Sequence, residues 1–129
     1  MTTEELIQNL TTECQKDPTI LGVILFGSYA RGENYRDVDI CLVPFPDLKG
    51  NSSELFKIRM KYEEYSKNVL DINLFYNLPL YIQSRVVKEG KILLDKNYDL
   101  FFDLYLDTIK QYTLFEPHLN TYLKAVLDG

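Results

Sequence analysis

Apolar residues recur along this chain with two periods, and the switches between them mark out its elements. Over residues 2–16 the apolar positions Leu6, Ile7, Leu10 and Cys14 form one helical stripe, and Thr2 with Glu5 has capping-box spacing. Asp17-Pro18 stops that helix, because the residue before a proline is pushed out of the helical region. Ile20 to Phe26 is a nearly continuous apolar run rich in branched residues, which predicts a buried strand. Gly27 to Gly32 predicts a turn and a short helix, and Asn34 with its neighbours connects to a second strand at about Val38 to Val43. Pro44, Pro46, Gly50 and Asn51 mark a loop. A helix follows over Ser53 to Lys67, with Asn51 and Glu54 at capping-box spacing.

The alternation then returns to a period of two. Val69 to Phe75 reads as a third strand, with Asp71, Asn73 and Phe75 on one face and Leu70, Ile72 and Leu74 on the other. Pro79 suits the first turn of another helix, which Gly90 ends. Lys91 to Leu94 predicts a short edge strand. Tyr98 to Leu127 has helical spacing through Leu100, Leu104, Thr108, Gln111 and Phe115, with an interruption at Pro117. The expectation is an α/β (α+β) chain: a mixed sheet of about four strands packed with helices, forming one domain over residues 1–129 with a helical tail from residue 97.

Composition narrows this picture. At 129 residues the chain can bury about two-thirds of its unfolded surface, and its 46% apolar and 26% charged shares are those of a water-soluble globular domain. A net charge of −5 disfavours broad nucleic-acid binding, which depends on neutralising phosphates, yet leaves room for a local basic site. Cys14 and Cys41 are distant in sequence and apolar in setting, so buried free thiols are expected. One histidine and no CxxC argue against a zinc site. No apolar run is long enough to span a bilayer, and the N-terminus carries no basic-then-apolar signal pattern, so a cytoplasmic location with no membrane contact is expected.

The candidate chemistry gathers where the first two strands meet. Gly27-Ser28 ends the first strand, and Asp37 and Asp39 open the second, one residue apart and so on one face. Gly27 lets backbone pass close to a ligand, and amides at the following turn can bind phosphate. Asp71 sits inside an otherwise apolar strand, where a carboxylate is costly to bury without a purpose. If the third strand lies beside the second, Asp71 joins Asp37 and Asp39, and Mg²⁺ would relieve their repulsion while taking oxygen ligands. Two such ions about 4 Å apart would activate an attacking hydroxyl and stabilise a leaving pyrophosphate. The alternatives stay open at this point. Asp71 could be an edge-strand carboxylate facing water, Ser28 an ordinary helix N-cap, and Arg31 a phosphate contact or a solvated surface residue. Asp47, in a proline-bordered loop, is a poorer third carboxylate, and His118 is a helix-start surface residue without an assigned role. Arg59, Lys61, Arg85 and Lys88 are candidates for nucleotide or partner contact, with solvated helix faces as the simpler reading.

Gly27-Ser28-Tyr29-Ala30-Arg31-Gly32 followed by Asp37-x-Asp39 resembles the signature of the minimal nucleotidyltransferases of the DNA polymerase β-like superfamily. The order of elements is also similar. One departure concerns spacing: eight residues separate Ser28 from Asp37, fewer than is usual in that family, and Arg36 stands where a serine is common. The shortening falls in a loop, where length is most easily changed. Residues 82–93 resemble the segment that follows the third strand in MntA-type antitoxins of HEPN/MNT toxin–antitoxin systems, and the tail from Asp103 to Tyr122 is loosely similar.

The resemblance implies a polymerase β-like nucleotidyltransferase fold. It implies that Asp37, Asp39 and Asp71 bind metal and are catalytic, and that Gly27 and Ser28, with Arg31 beside them, hold the nucleotide triphosphate. It further implies Mg²⁺, in two ions, ATP as substrate, and a HEPN-domain ribonuclease toxin as hetero-oligomeric partner, silenced by transfer of AMP to one of its tyrosines. Two other readings keep part of this: a nucleotidyltransferase acting on a small-molecule hydroxyl, and a non-catalytic module that neutralises a toxin by contact alone. A homodimer is compatible with each.

Overall fold

The computed structural model describes residues 1–33 and 37–128, and their side chains apart from those of 118–120, 122–123 and 128. The expected connection around Asn34, Arg36 with it, and the side chain of His118 lie outside the described residues. The first helix, α1 (Thr3–Lys16), starts as its capping box predicts, with the Glu5 amide donating to the Thr2 hydroxyl at 3.1 Å. It buries Leu6, Leu10 and Cys14. Asp17 then accepts from the Thr19 amide at 2.9 Å and its hydroxyl at 2.7 Å, a turn that launches β1 (Ile20–Phe26). Every residue of β1 is buried, as a strand covered on both faces requires.

A single turn of helix, α2 (Gly27–Ala30), follows, and the chain re-enters the sheet as β2 (Val38–Pro44). After a short 3₁₀ turn come α3 (Ser52–Glu63), β3 (Leu70–Leu74), a second 3₁₀ turn, α4 (Leu80–Glu89), β4 (Lys91–Asp95) and α5 (Tyr98–Asp128). The sheet has the order β3-β2-β1-β4. β1 runs antiparallel to β2 and β4, while β2 and β3 are parallel, as a crossover through α3 allows. The sheet is therefore mixed, as expected, with β4 on an edge.

Two apolar layers hold the helices to the sheet. On one face α1 and α3 bring Leu10, Leu55, Ile58 and Tyr62 against Val23, Ile40, Leu42 and Ile72. On the other, α4 and α5 bring Val86, Val87 and Phe101 against Ile24, Phe26, Cys41 and Phe75. Cys14 and Cys41 are both buried free thiols.

Three local expectations are corrected, and a fourth holds for a different geometric reason. The helix after Asn51 ends at Glu63, short of Lys67, because Lys67 (φ 47°) and Asn68 (φ 59°) adopt left-handed backbone to swing the chain into β3. Phe75 belongs to a 3₁₀ turn, although its ring still packs on the face shared with Asp71. Gly90 ends α4 as expected, in extended geometry (φ −70°, ψ 153°). Glycine is required there because a Cβ would overlap the Ile24 side chain and the Val86 carbonyl oxygen. Finally, α5 runs on through Pro117. That stretch is exposed, so the carbonyl left without an amide donor can be solvated.

Candidate active site

The site forms where three neighbouring strands align. In the antiparallel pair, Phe26 at the end of β1 lies opposite Asp39, and in the parallel pair Asp39 lies beside Asp71. Asp39 is half-buried and Asp71 exposed. Asp37 stands exposed, just before β2 begins. Asp39 and Asp71 share the sheet face of Cys41 and Phe75, the face that α4 and α5 cover farther along the strands. The Asn73 amide donates to the Ile40 carbonyl at 3.4 Å and the Asp71 carbonyl at 3.2 Å, tying β3 to β2 beside the carboxylates.

The edge-strand reading of Asp71 is thus half right. β3 is an edge strand and Asp71 meets water, yet the parallel register also sets it against Asp39. The electrostatics record the clustering. Burial, then the charge of Asp71 and a hydrogen bond to it, then the charge of Asp37, push the Asp39 carboxyl up to about 6 against a weaker opposing pull from Arg31. A carboxylate whose proton affinity is raised by two neighbouring carboxylates suits a hard divalent cation, which removes that repulsion. Among the described residues, no three His, Cys, Asp or Glu side chains are already gathered at metal-binding geometry.

Gly27 is the tightest point. Its φ of +79° is the left-handed region, and a Cβ there would overlap the Asp39 carboxylate. The glycine therefore serves the aspartate as much as any ligand. Ser28 is half-buried within α2 and is not the N-cap, a position taken by Phe26 without a side-chain hydrogen bond. Arg31, half-exposed, is neither free nor simply solvated. Its Nε meets Glu33 at 3.0 Å and its Nη1 meets Glu89 at 3.1 Å, so the turn after β1 is fastened to the last turn of α4.

Of the expected site residues, Asp39 lies beside Asp71 and against Gly27, the charges of Asp37 and Arg31 reach Asp39, and Ser28 is on the adjoining turn. Asp47 lies in the 3₁₀ turn beyond the opposite end of β2 and does not join them. Lys61 and Arg59 are engaged elsewhere, Lys61 with Asp17 at 3.1 Å and Arg59 with Glu63 at 3.6 Å. Glu89 went unnoticed in the sequence. It is 58 positions from its partner Arg31, and no local pattern signals such a pair.

The family model described as "Polymerase beta, Nucleotidyltransferase" matches residues 8–99. A Methanocaldococcus jannaschii protein named as a candidate protein adenylyltransferase is 35% identical over 83 residues, which is 63% of this chain. The chain spans 61% of the length of that relative. A chain in a crystal structure described as a toxin–antitoxin with AMP-PNP superimposes with a TM-score of 0.69 at 22% identity, covering 98% of this chain and 99% of its own. A chain from a complex of tri-AMPylated Shewanella oneidensis HEPN toxin with MNT antitoxin gives 0.66 at 20% identity, covering 96% and 95% respectively. At these identities the likeness to the solved structures is one of fold.

Proposed function

The chain belongs to the polymerase β nucleotidyltransferase family, and from that premise we propose that it is a protein adenylyltransferase antitoxin. It transfers AMP from ATP to a tyrosine hydroxyl of a HEPN ribonuclease toxin and so neutralises it. The observation that carries this reading is the placement of Asp39 beside Asp71 in parallel register, with Asp37 two residues away and Gly27 against Asp39. The relatives support the protein acceptor: one is named for adenylylation of proteins, and one structure holds an AMPylated HEPN toxin. On α5, Leu114 and Leu127 are 74% and 84% exposed, apolar surface suited to a partner protein.

Asp37, Asp39 and Asp71 would hold Mg²⁺, in two ions, and Gly27, Ser28 and Arg31 would steady the triphosphate of ATP. Bound divalent cations supply charge neutralisation on the phosphates and acidify a coordinated hydroxyl. A tyrosine hydroxyl titrates near 10 in water, so it needs such help to react at neutral pH. Asp71, exposed at the end of the sheet as Asp37 is, would help activate the acceptor hydroxyl. The tyrosine oxygen bonds to the α-phosphorus in line, the bond from that phosphorus to the bridging oxygen breaks, and pyrophosphate leaves. Arg31 stays in place because Glu33 and Glu89 hold it. The added AMP brings bulk and negative charge, which would repel RNA from the toxin's cleft.

The test is direct. The protein, Mg²⁺, ATP and the protein encoded beside it are incubated together and their intact masses measured. A gain of one or more AMP units on the neighbour, absent with Asp37→Ala, is expected. Stable binding of the neighbour with no mass gain would replace the enzyme by a contact-only antitoxin. No gain and no binding would point to a small-molecule hydroxyl.

A further inference from the structure

On the flank formed by α4 and α5 lies a cleft of about 160 Å³ lined by Tyr81, Ser84, Arg85, Lys88, Glu89 and Tyr112. Arg85 and Lys88 are three residues apart on α4 and so share a face. Both are exposed, and among the described residues neither has a carboxylate within 4.0 Å. The one acid in the cleft, Glu89, is engaged by Arg31, which offsets its charge.

Aromatic surface completes the cleft. The Lys88 ammonium lies 4.8 Å from the centre of the Tyr112 ring, and Tyr81 is 53% exposed. Ser84, 2% exposed, sits in its wall. Two cations with one exposed and one half-buried ring are elements that can bind a phosphate and flank a base. The volume decides how much of a nucleotide enters. It is well below the roughly 300 Å³ of sites that enclose a whole small ligand, so the cleft suits a phosphate and the edge of a ring. Its position decides relevance, because Glu89 is in the cleft, Arg31 binds Glu89, and Arg31 follows the Gly27-Ser28 turn beside Asp39.

We propose that the α4–α5 cleft is an adenylate-binding subsite, in which Arg85 and Lys88 hold a phosphate while Tyr81 and Tyr112 flank the base. This rests on the nucleotide chemistry proposed above. It adds a second place for an adenylate, apart from the triphosphate turn at Gly27-Ser28. The phosphate has two possible sources: the tail of ATP itself, or AMP already attached to the acceptor. With the latter, the subsite would retain a modified acceptor for another round of transfer.

Binding tests this separately from transfer. The full chain, saturated with Mg²⁺ and an ATP analogue that resists cleavage between the α- and β-phosphates, is titrated with AMP by calorimetry. A second binding event is expected, weakened about tenfold or more by Arg85→Ala with Lys88→Ala, as loss of charge-assisted contacts predicts. Arg85→Lys should retain part of it, and Asp39→Asn should leave it in place. That event assigns the phosphate to a separate adenylate. If the double variant instead weakens the ATP analogue itself and no second event occurs, the cleft holds the phosphate tail of ATP. If neither ligand is affected while the thermal midpoint is unchanged, the subsite does not exist. Failure of AMP transfer by the wild-type protein would count against the transferase reading and leave these binding outcomes standing.

Discussion

Two aspartates in this molecule have been treated in opposite ways by the fold. Asp17, at the end of α1, is buried and surrounded by donors: Thr19 through both its amide and its hydroxyl, Tyr62 at 2.7 Å and Lys61 at 3.1 Å. Burial alone would push its carboxyl up, but hydrogen bonds from Tyr62, Thr19 and Lys61 outweigh that and bring it down to about 2. Lys96 adds a bond to its backbone carbonyl at 2.6 Å, so α1, α3 and the end of β4 meet at this one residue. Asp39 is less buried, yet among the described residues it lacks such donors, and burial first and then the neighbouring carboxylates push it up to about 6. Donors make Asp17 a fastener of the structure. Burial and like charges make Asp39 costly to the structure, a cost that a bound cation would relieve. Environment separates the two roles where residue type cannot.

The comparison can be broken most severely at Asp39. Asp39→Asn keeps the size of the side chain and removes the charge, and it should lower AMP transfer at least a thousandfold, about 4 kcal/mol of barrier. Its thermal midpoint should stay at or above that of the wild type without metal, because a repulsion has been removed. A clear loss of stability would show that Asp39 is a fastener too. Asp17→Ala should do the reverse. It leaves the Tyr62 hydroxyl and Thr19 without their acceptor, and a cost of about 3 kcal/mol in urea unfolding is expected. Transfer by the protein that remains folded should be near normal.

The pH dependence of stability separates the pair more gently. Asp17 is depressed in the folded protein, so its contribution is complete above its unfolded value near 4. It is lost as pH falls toward about 2. Acid unfolding followed by circular dichroism should show about 2 kcal/mol lost over that window. The loss should be missing in Asp17→Asn. The smallest effect comes from two glycines with matching backbone. Gly27 (φ +79°) and Gly32 (φ +74°) both sit in the left-handed region, so alanine strains each by about 1–2 kcal/mol. Only at Gly27 would the added Cβ meet Asp39, whereas at Gly32 it meets nothing within 4 Å among the described residues. Gly32→Ala should lose the backbone strain alone, and Gly27→Ala that strain plus the cost of displacing Asp39, with transfer falling further in Gly27→Ala. Equal transfer by the two would remove Gly27 from the site.

Much of this was legible before any coordinates. The apolar periods located all four strands, because each run of Val, Ile and Leu is bounded by glycine, proline or a cap that ends it. The pattern Gly27-Ser28 with Asp37-x-Asp39 pointed to the candidate site, since it sets a tight turn at a strand end next to two carboxylates on one face. Element ends were harder. Nothing in residues 64–67 distinguishes another helical turn from the left-handed pair Lys67-Asn68, which the path into β3 demands. Gly90 could be read as the end of α4, but only the structure shows that Ile24 and the Val86 carbonyl require a glycine there.

What the residues determine alone is therefore local: where helices and strands form, which faces are apolar, and which three carboxylates are candidates. Backbone geometry and burial act within a few positions, so they can be read along a line. The tertiary structure decided the rest. It set β3 parallel to β2 so that Asp71 stands beside Asp39, it paired Arg31 with Glu89, and it gave Asp17 four donors while giving Asp39 two carboxylates. Those outcomes depend on which strands are neighbours and in what register. A one-residue slip of β3 would turn Asp71 to the opposite face, and the site would not exist.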